Sequence, residues 1–305
     1  MIISDLKVVV VGMGVQGNKR ARFAYKDLVA TVDSNKKADY NDLEEIDDNI
    51  YDAVLLCTPD EVKYELLKKI INKKKHVLVE KPLFVDDVEK IIELQSIAIK
   101  NKVILYTAYN HRFEPHFVHM KSVLDNNEIG KIYRLRMFYG NGTSGLVRQS
   151  PWRDKGSGVL LDIGSHLIDT IIYWFGEDNI EITDTNSFSF ENLSPDHSII
   201  KGKINSIFFE LEVSLLSWRN NFVCDIVGDK GSVHINSLCK WGPSIFIKRK
   251  RVLPSGKPDE KMTTLIQDDP TWKDEYTHFK NLIEKKINTD LSVDIKIFNI
   301  LKNCI

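Results

Sequence analysis

The stretch VVVVGMGVQG, Val8 to Gly17, sets four β-branched residues directly before three glycines in G-x-G-x-x-G spacing and opens onto a helix-like run. An apolar strand followed at once by a tight turn and a helix N-terminus is a cradle for phosphate. Gly12 permits the turn, Gly14 lets the backbone approach a pyrophosphate, and Gly17 lets helix and strand pack. Val15 and Gln16 bring backbone N–H groups to the same place. The next strand-like run, "LVATVD", ends in Asp33, 21 residues after Gly12. A carboxylate there accepts the ribose hydroxyls of an adenosine. Its charge repels a 2′-phosphate and so selects NAD over NADP, with Lys36 and Lys37 just beyond it keeping NADP as the alternative.

Working outward, short apolar runs alternate with longer amphipathic ones from Leu6 to Asn110: "DAVLLC", "DEVKYELLKKIIN", "HVLVE", "VDDVEKIIELQSIAIKN", "VILYTAY". Continuous apolar strands separated by helix-period segments predict a doubly wound parallel sheet covered on both faces. Cys57-Thr58-Pro59 and Val79-Glu80-Lys81-Pro82-Leu83 then fall at the C-terminal ends of the third and fourth strands, the edge where such sheets bind ligands.

Beyond residue 118 the period changes. "KIYRLRMFY" and "FELEVSL" alternate, with Phe209, Leu211, Val213 and Leu215 on one side and Glu210, Glu212 and Ser214 on the other. Strict alternation predicts a second, mostly antiparallel sheet with one buried face. The expected division is residues 1–118 for dinucleotide binding and 119–305 for the rest.

Composition narrows the partners. Lys and Arg (42) balance Asp and Glu (43), a net charge of −1, so nothing draws the chain to nucleic acid or an anionic membrane. Four scattered cysteines without a C-x-x-C pair, and an opening that runs into "LKVVVVGMG" without a leader pattern, suggest a reducing, cytoplasmic setting and no membrane span.

The segment "GSGVLLDIGSHLID", Gly156 to Asp169, places charge inside an apolar helix-like run. At ~100° per residue Asp162, His166 and Asp169 share one stripe, which either faces water or lines a cleft. Oxidising an alcohol at a nicotinamide needs a proton acceptor near physiological pKa and a cation to hold the oxygen as charge develops. His166 suits the first role, Lys81 the second, and Asp162 can orient the imidazole.

These motifs together, VVVVGMGVQG with Asp33, then VEKPL, then WRDKGSGVLLDIGSHLID, resemble the Gfo/Idh/MocA oxidoreductase family, and YNHRFEP resembles its segment after the fifth strand. The resemblance implies Lys81, Asp162 and His166 as a catalytic set, with Thr58, Pro59, Glu80 and Asn110 beside Gly12, Gly14, Gly17 and Asp33 near the cofactor. It also implies an N-terminal Rossmann domain, a C-terminal α/β domain with a large open mixed sheet, and homodimers or homotetramers through that sheet. One departure is Gly156-Ser157-Gly158, where the family often has a run of glycines.

Arg148, Trp152 and Arg153 precede the active-site segment, where guanidinium forks and an aromatic ring suit an acidic or nucleotide-linked sugar. They serve equally well as solvated arginines and a core tryptophan. Arg112 is a further substrate candidate. His111, His116 and His119 lack an acidic or thiolate partner at zinc spacing, so no metal is expected and they are placed at the surface or between domains. The expected activity is hydride transfer to a nicotinamide from a secondary alcohol of a sugar, nucleotide sugar or cyclic polyol. The alternative is a non-catalytic dinucleotide sensor, which has no need of a lysine, a carboxylate and a histidine together.

Overall fold

The computed structural model describes residues 6–304, so the reading of the extreme N-terminus falls outside it. The chain divides into two compact units, Met1–Asn110 with Thr271–Asn299, and His111–Pro270 with Ile300–Ile305.

In the first unit, β1 (Val8–Val11), β2 (Leu28–Val32), β3 (Ala53–Leu56), β4 (His76–Glu80) and β5 (Leu105–Ala108) form a wholly parallel sheet in the order β2-β1-β3-β4-β5. Strand residues alternate between two cores. Val9, Val11, Val54 and Val79 meet Leu67, Ile70, Ile91 and Leu94 from α2 (Asp60–Asn72) and α3 (Val88–Asn101). Val8, Val10, Leu55 and Leu78 face the other way, toward Ala21 and Ala24 of α1 (Val15–Ala24). Those small side chains leave much of that face uncovered, and Tyr276 and Phe279 of the helix Thr271–Glu284 fill it. This is why Thr271–Asn299 joins the first unit, whereas the sequence division assigns everything after 118 to the second. A parallel sheet requires cover on both faces, and the chain returns at its end to provide it.

β1 lies between β2 and β3, so the strand order reverses at the end of β1, directly under the glycine turn. Ligands of open parallel sheets bind at that crevice.

The second unit is an eight-stranded sheet in which only β6 (Ile132–Gly140) and β9 (Ile207–Ser214) run parallel. β7 (Ile180–Phe188), β8 (His197–Ile204), β10 (Asn221–Gly228), β11 (Gly231–Asn236), β12 (Ser244–Lys250) and β13 (Asp259–Leu265) complete it. Leu135, Met137, Leu211, Val213, Cys224 and Ile226 are buried, while Arg136 and Glu212 on the opposite face form an ion pair. The helices α4 (Pro115–Asp125), α5 (Ser144–Arg148) and α6 (Ser165–Phe175) belong to this unit, and the Trp174 indole of α6 donates to Phe117 O of α4 at 3.1 Å. Among the described residues, no helix is long and apolar enough to cross a membrane.

Candidate active site

In the first unit the glycine turn is held by sterics. Gly12 adopts φ +92°, and a Cβ there would lie 2.6 Å from Cys57 O. A Cβ on Gly17 would lie 1.9 Å from Gly12 O, so helix and strand approach as the motif requires. Over Gly14 a Cβ would meet only Lys36 Nζ, at 3.9 Å, which leaves the cradle open on the ligand side. Gly17→Ala is expected to destabilise the chain by about 1–3 kcal/mol through overpacking and to abolish dinucleotide binding. Urea denaturation and NADH fluorescence titration read the two effects separately.

Asp33 closes the turn from below: its Oδ2 accepts from Met13 N at 2.7 Å, and its Oδ1 from Asn35 N and Lys36 N at 2.8 Å. Burial works against its charge, but these backbone donors and the Lys36 ammonium hold its carboxyl below the usual range. At the end of β3, Thr58 Oγ1 is buried with no hydrogen-bond partner. An open cradle over Gly14, an ionised acceptor at Asp33 and an orphaned hydroxyl at Thr58 fit the pyrophosphate and ribose of a dinucleotide.

Lys81 follows β4, and its backbone is clamped on both sides. The ammonium of Lys63, itself buried, donates to Glu80 O at 2.8 Å and Pro82 O at 2.9 Å, and pairs with Asp60 at 2.6 Å. Sequence reading missed Lys63, although it shares the apolar stripe of α2 with Leu67 and Ile70, an unusual place for a lysine. Glu80, expected near the cofactor, is the partner of Arg20 at 2.7 Å, and Arg20 also pairs with Glu275 at 2.6 Å. Asn110 donates to Thr271 Oγ1 at 2.8 Å.

Asp162 and His166 belong to the second unit. A π-helical turn, Leu160–Gly164, precedes α6, so the segment is not the uniform α-helix that the stripe assumed. Such turns re-aim side chains and cluster at functional sites. Asp162, at the turn, keeps 45% of its side chain exposed and lies 3.4 Å from Arg153. His166, one turn on, is 9% exposed, and Asp169 is fully buried. The stripe is therefore open at Asp162 and buried from His166 onward. Burial pushes the Asp169 carboxyl up, opposed by the Arg112 guanidinium, whose Nε reaches both its oxygens at 3.0 and 3.1 Å. Arg112, expected as a substrate contact, pairs with Asp169 and keeps 26% of its side chain exposed.

His111 and His116 are buried rather than at the surface, whereas His119 is exposed. His111 stacks on His166 with ring centroids 4.0 Å apart and planes 17° from parallel. His116 Nε2 lies 3.2 Å from Ser244 O. Among the described residues, no His, Cys, Asp and Glu group is placed to hold a metal ion. Arg148 donates to Glu191 O, and Trp152 is 58% exposed, so it is not a core residue.

A crossover-wound sheet with a phosphate cradle at its switch point, joined to a large mixed sheet that carries a buried imidazole, defines a dinucleotide-binding oxidoreductase of two-domain type. Comparison with known proteins agrees. Residues 6–109 match the oxidoreductase family NAD-binding Rossmann fold, and residues 117–234 match the GFO/IDH/MocA C-terminal domain. The chain belongs to the Gfo/Idh/MocA oxidoreductase family. It is 35% identical over 148 residues to a myo-inositol 2-dehydrogenase of Thermotoga maritima, covering 47% of this chain and 42% of that one. To a glucose-6-phosphate 3-dehydrogenase of Bacillus subtilis it is 28% identical over 217 residues, 63% of this chain and 62% of that one. The matched stretches span between 37% and 62% of the curated relatives' own lengths. A levoglucosan dehydrogenase solved in complex with NADH shares the fold with a TM-score of 0.83, at 18% identity over 98% of this chain and 95% of that one.

Proposed function

We propose that this chain is an NAD-dependent dehydrogenase acting on a secondary alcohol of a sugar or cyclic polyol. The observation that carries this reading is the dinucleotide cradle, open only over Gly14 and flanked by Asp33 and the orphaned Thr58 hydroxyl. Relatives named for inositol, glucose 6-phosphate and levoglucosan support a hydroxyl-rich ring as substrate.

Bound nicotinamide supplies the hydride acceptor. In the oxidative direction His166 accepts the hydroxyl proton, and the Lys81 ammonium stabilises the developing alkoxide. Asp162 biases the imidazole toward its protonated form as the proton arrives. Lys63 holds the backbone from which Lys81 extends. Arg148, Trp152 and Arg153 belong to the substrate side in this reading, and copies assemble through the polar face of the eight-stranded sheet into homodimers or homotetramers.

The test is NADH formation by the purified protein over a panel of inositols, free sugars, sugar phosphates and nucleotide sugars. Turnover on one class supports the dehydrogenase. Tight NADH binding without turnover on any of them, in either direction, favours a dinucleotide sensor instead.

Asp33 decides the cofactor. Asp33→Ala is expected to weaken NAD binding about 10- to 150-fold, the loss of hydrogen bonds to a charged acceptor, and to narrow the preference over NADP. Calorimetric titration with both cofactors checks this. An unchanged ratio of the two affinities removes Asp33 from the selectivity.

A further inference from the structure

The second unit contains an arrangement that the proposed chemistry does not by itself require. His111 is buried against His166 and also stacks on Tyr139, with centroids 5.6 Å apart. On the edge of His111, the ammonium of Lys240 sits 3.4 Å from Nε2 and donates to the Tyr139 hydroxyl at 3.0 Å. Two imidazoles in face contact titrate as a pair, because protonating one disfavours protonating the other. A functional base in such a pair requires that the proton arrive on the correct ring.

We propose that Lys240 is a positioning residue that assigns this proton: it holds His111 neutral with its hydrogen on Nδ1, so that His166 alone of the two rings acts as the base. The proposal rests on His166 being the base of the dehydrogenase reading. Its stereochemistry is independent of that reading. An ammonium has three donors and no acceptor, so the ring nitrogen facing it must offer a lone pair. Nε2 of His111 therefore carries no hydrogen while Lys240 is charged, and a second proton there would set two cations 3.4 Å apart.

The surroundings keep Lys240 charged. Burial disfavours the ammonium, but Tyr139, Asp269 and Glu114 outweigh it and raise its pKa above the ordinary lysine value. The Trp241 ring lies 4.7 Å from Nζ and adds a cation–π contact. Glu114 also accepts from Cys239, from N at 3.1 Å and Sγ at 2.9 Å, and burial holds its carboxyl above the usual range. On the segment that carries His166 the charged residues are Asp162 and Asp169, which pair with Arg153 and Arg112 respectively. Lys240 is the cation in direct contact with the His111 ring, at Nε2.

The experiment is long-range 15N correlation spectroscopy of the full-length protein labelled at histidine, titrated from about pH 5 to 8, the range over which imidazoles change charge. His111→Gln and His166→Asn assign the signals. In the wild-type protein, His111 is expected to stay in the neutral Nδ1–H form throughout while His166 takes up the proton. In Lys240→Met, which keeps the length of the side chain without its charge, His111 is expected to lose that fixed tautomer and to share the titration. Protonation of His111 in the wild-type protein, an Nε2–H tautomer, or a Lys240→Met spectrum with His111 unchanged overturns the proposal. If Lys240→Met does not fold, the wild-type spectrum decides alone. The readout needs no turnover, so a failed substrate panel and a failed assignment of the proton are distinguishable.

Discussion

His166→Asn is expected to lower turnover by roughly 10²- to 10⁴-fold while leaving NADH affinity within about twofold of wild type, because a positioned general base contributes on that scale. The asymmetry follows from the architecture. The cofactor cradle, with Gly12, Gly14, Gly17, Asp33 and Thr58, is built within the first unit, and His166 lies on α6 of the second. Asparagine keeps a polar planar side chain of similar width but cannot take up the proton. Steady-state kinetics on the substrate found by the panel, together with fluorescence titration by NADH, give kcat and cofactor affinity independently. Near-normal kcat in this variant would remove His166 from the chemistry and pass the role of base to another residue.

Arg20→Met is expected to cost about 3–5 kcal/mol of stability, the largest effect of any single substitution considered. Arg20 is 2% exposed on α1 and pairs with Glu80 at the end of β4 and with Glu275, fully buried, on the helix Thr271–Glu284. Its guanidinium also lies 4.4 Å from the Trp272 ring. Removing the cation takes from two enclosed carboxylates the ion pair that offsets part of their desolvation. The double variant Arg20→Met/Glu275→Gln removes one stranded charge and is expected to recover part of the loss. Urea denaturation of the three proteins measures both. A single variant within about 1 kcal/mol of wild type would show that Glu80 and Glu275 find water or protons when Arg20 is gone. Because Glu80 immediately precedes Lys81, the same variant is expected to reduce kcat beyond what the loss of folded protein explains.

The parts of the protein that were legible in the sequence are those encoded by neighbours along the chain. Four β-branched residues running into G-x-G-x-x-G specify strand, turn and helix within ten residues, and the structure shows the steric need for Gly12 and Gly17 directly. Continuous apolar runs against alternating ones separate a parallel sheet from a mostly antiparallel one, because burial on two faces or on one writes a different period. The strands Ile132–Gly140 and Ile207–Ser214 were visible in this way. The single parallel pairing between them was not, since period alone does not give direction.

What the tertiary structure alone decided are the pairings between charges distant in sequence. Arg112 meets Asp169 across 57 residues, Arg20 meets Glu80 across 60, and Lys240 meets His111 across 129. Each of these residues has an ordinary local context, and each meets its partner because the fold brings distant segments together. The return of Thr271–Asn299 to the first unit has the same origin: its amphipathic pattern announced a helix with an apolar face but not which sheet that face would cover. Local periodicity records that a face must be buried. Only the closing of the fold determines against what, and an enclosed charge is stable only where that closing supplies its counterpart.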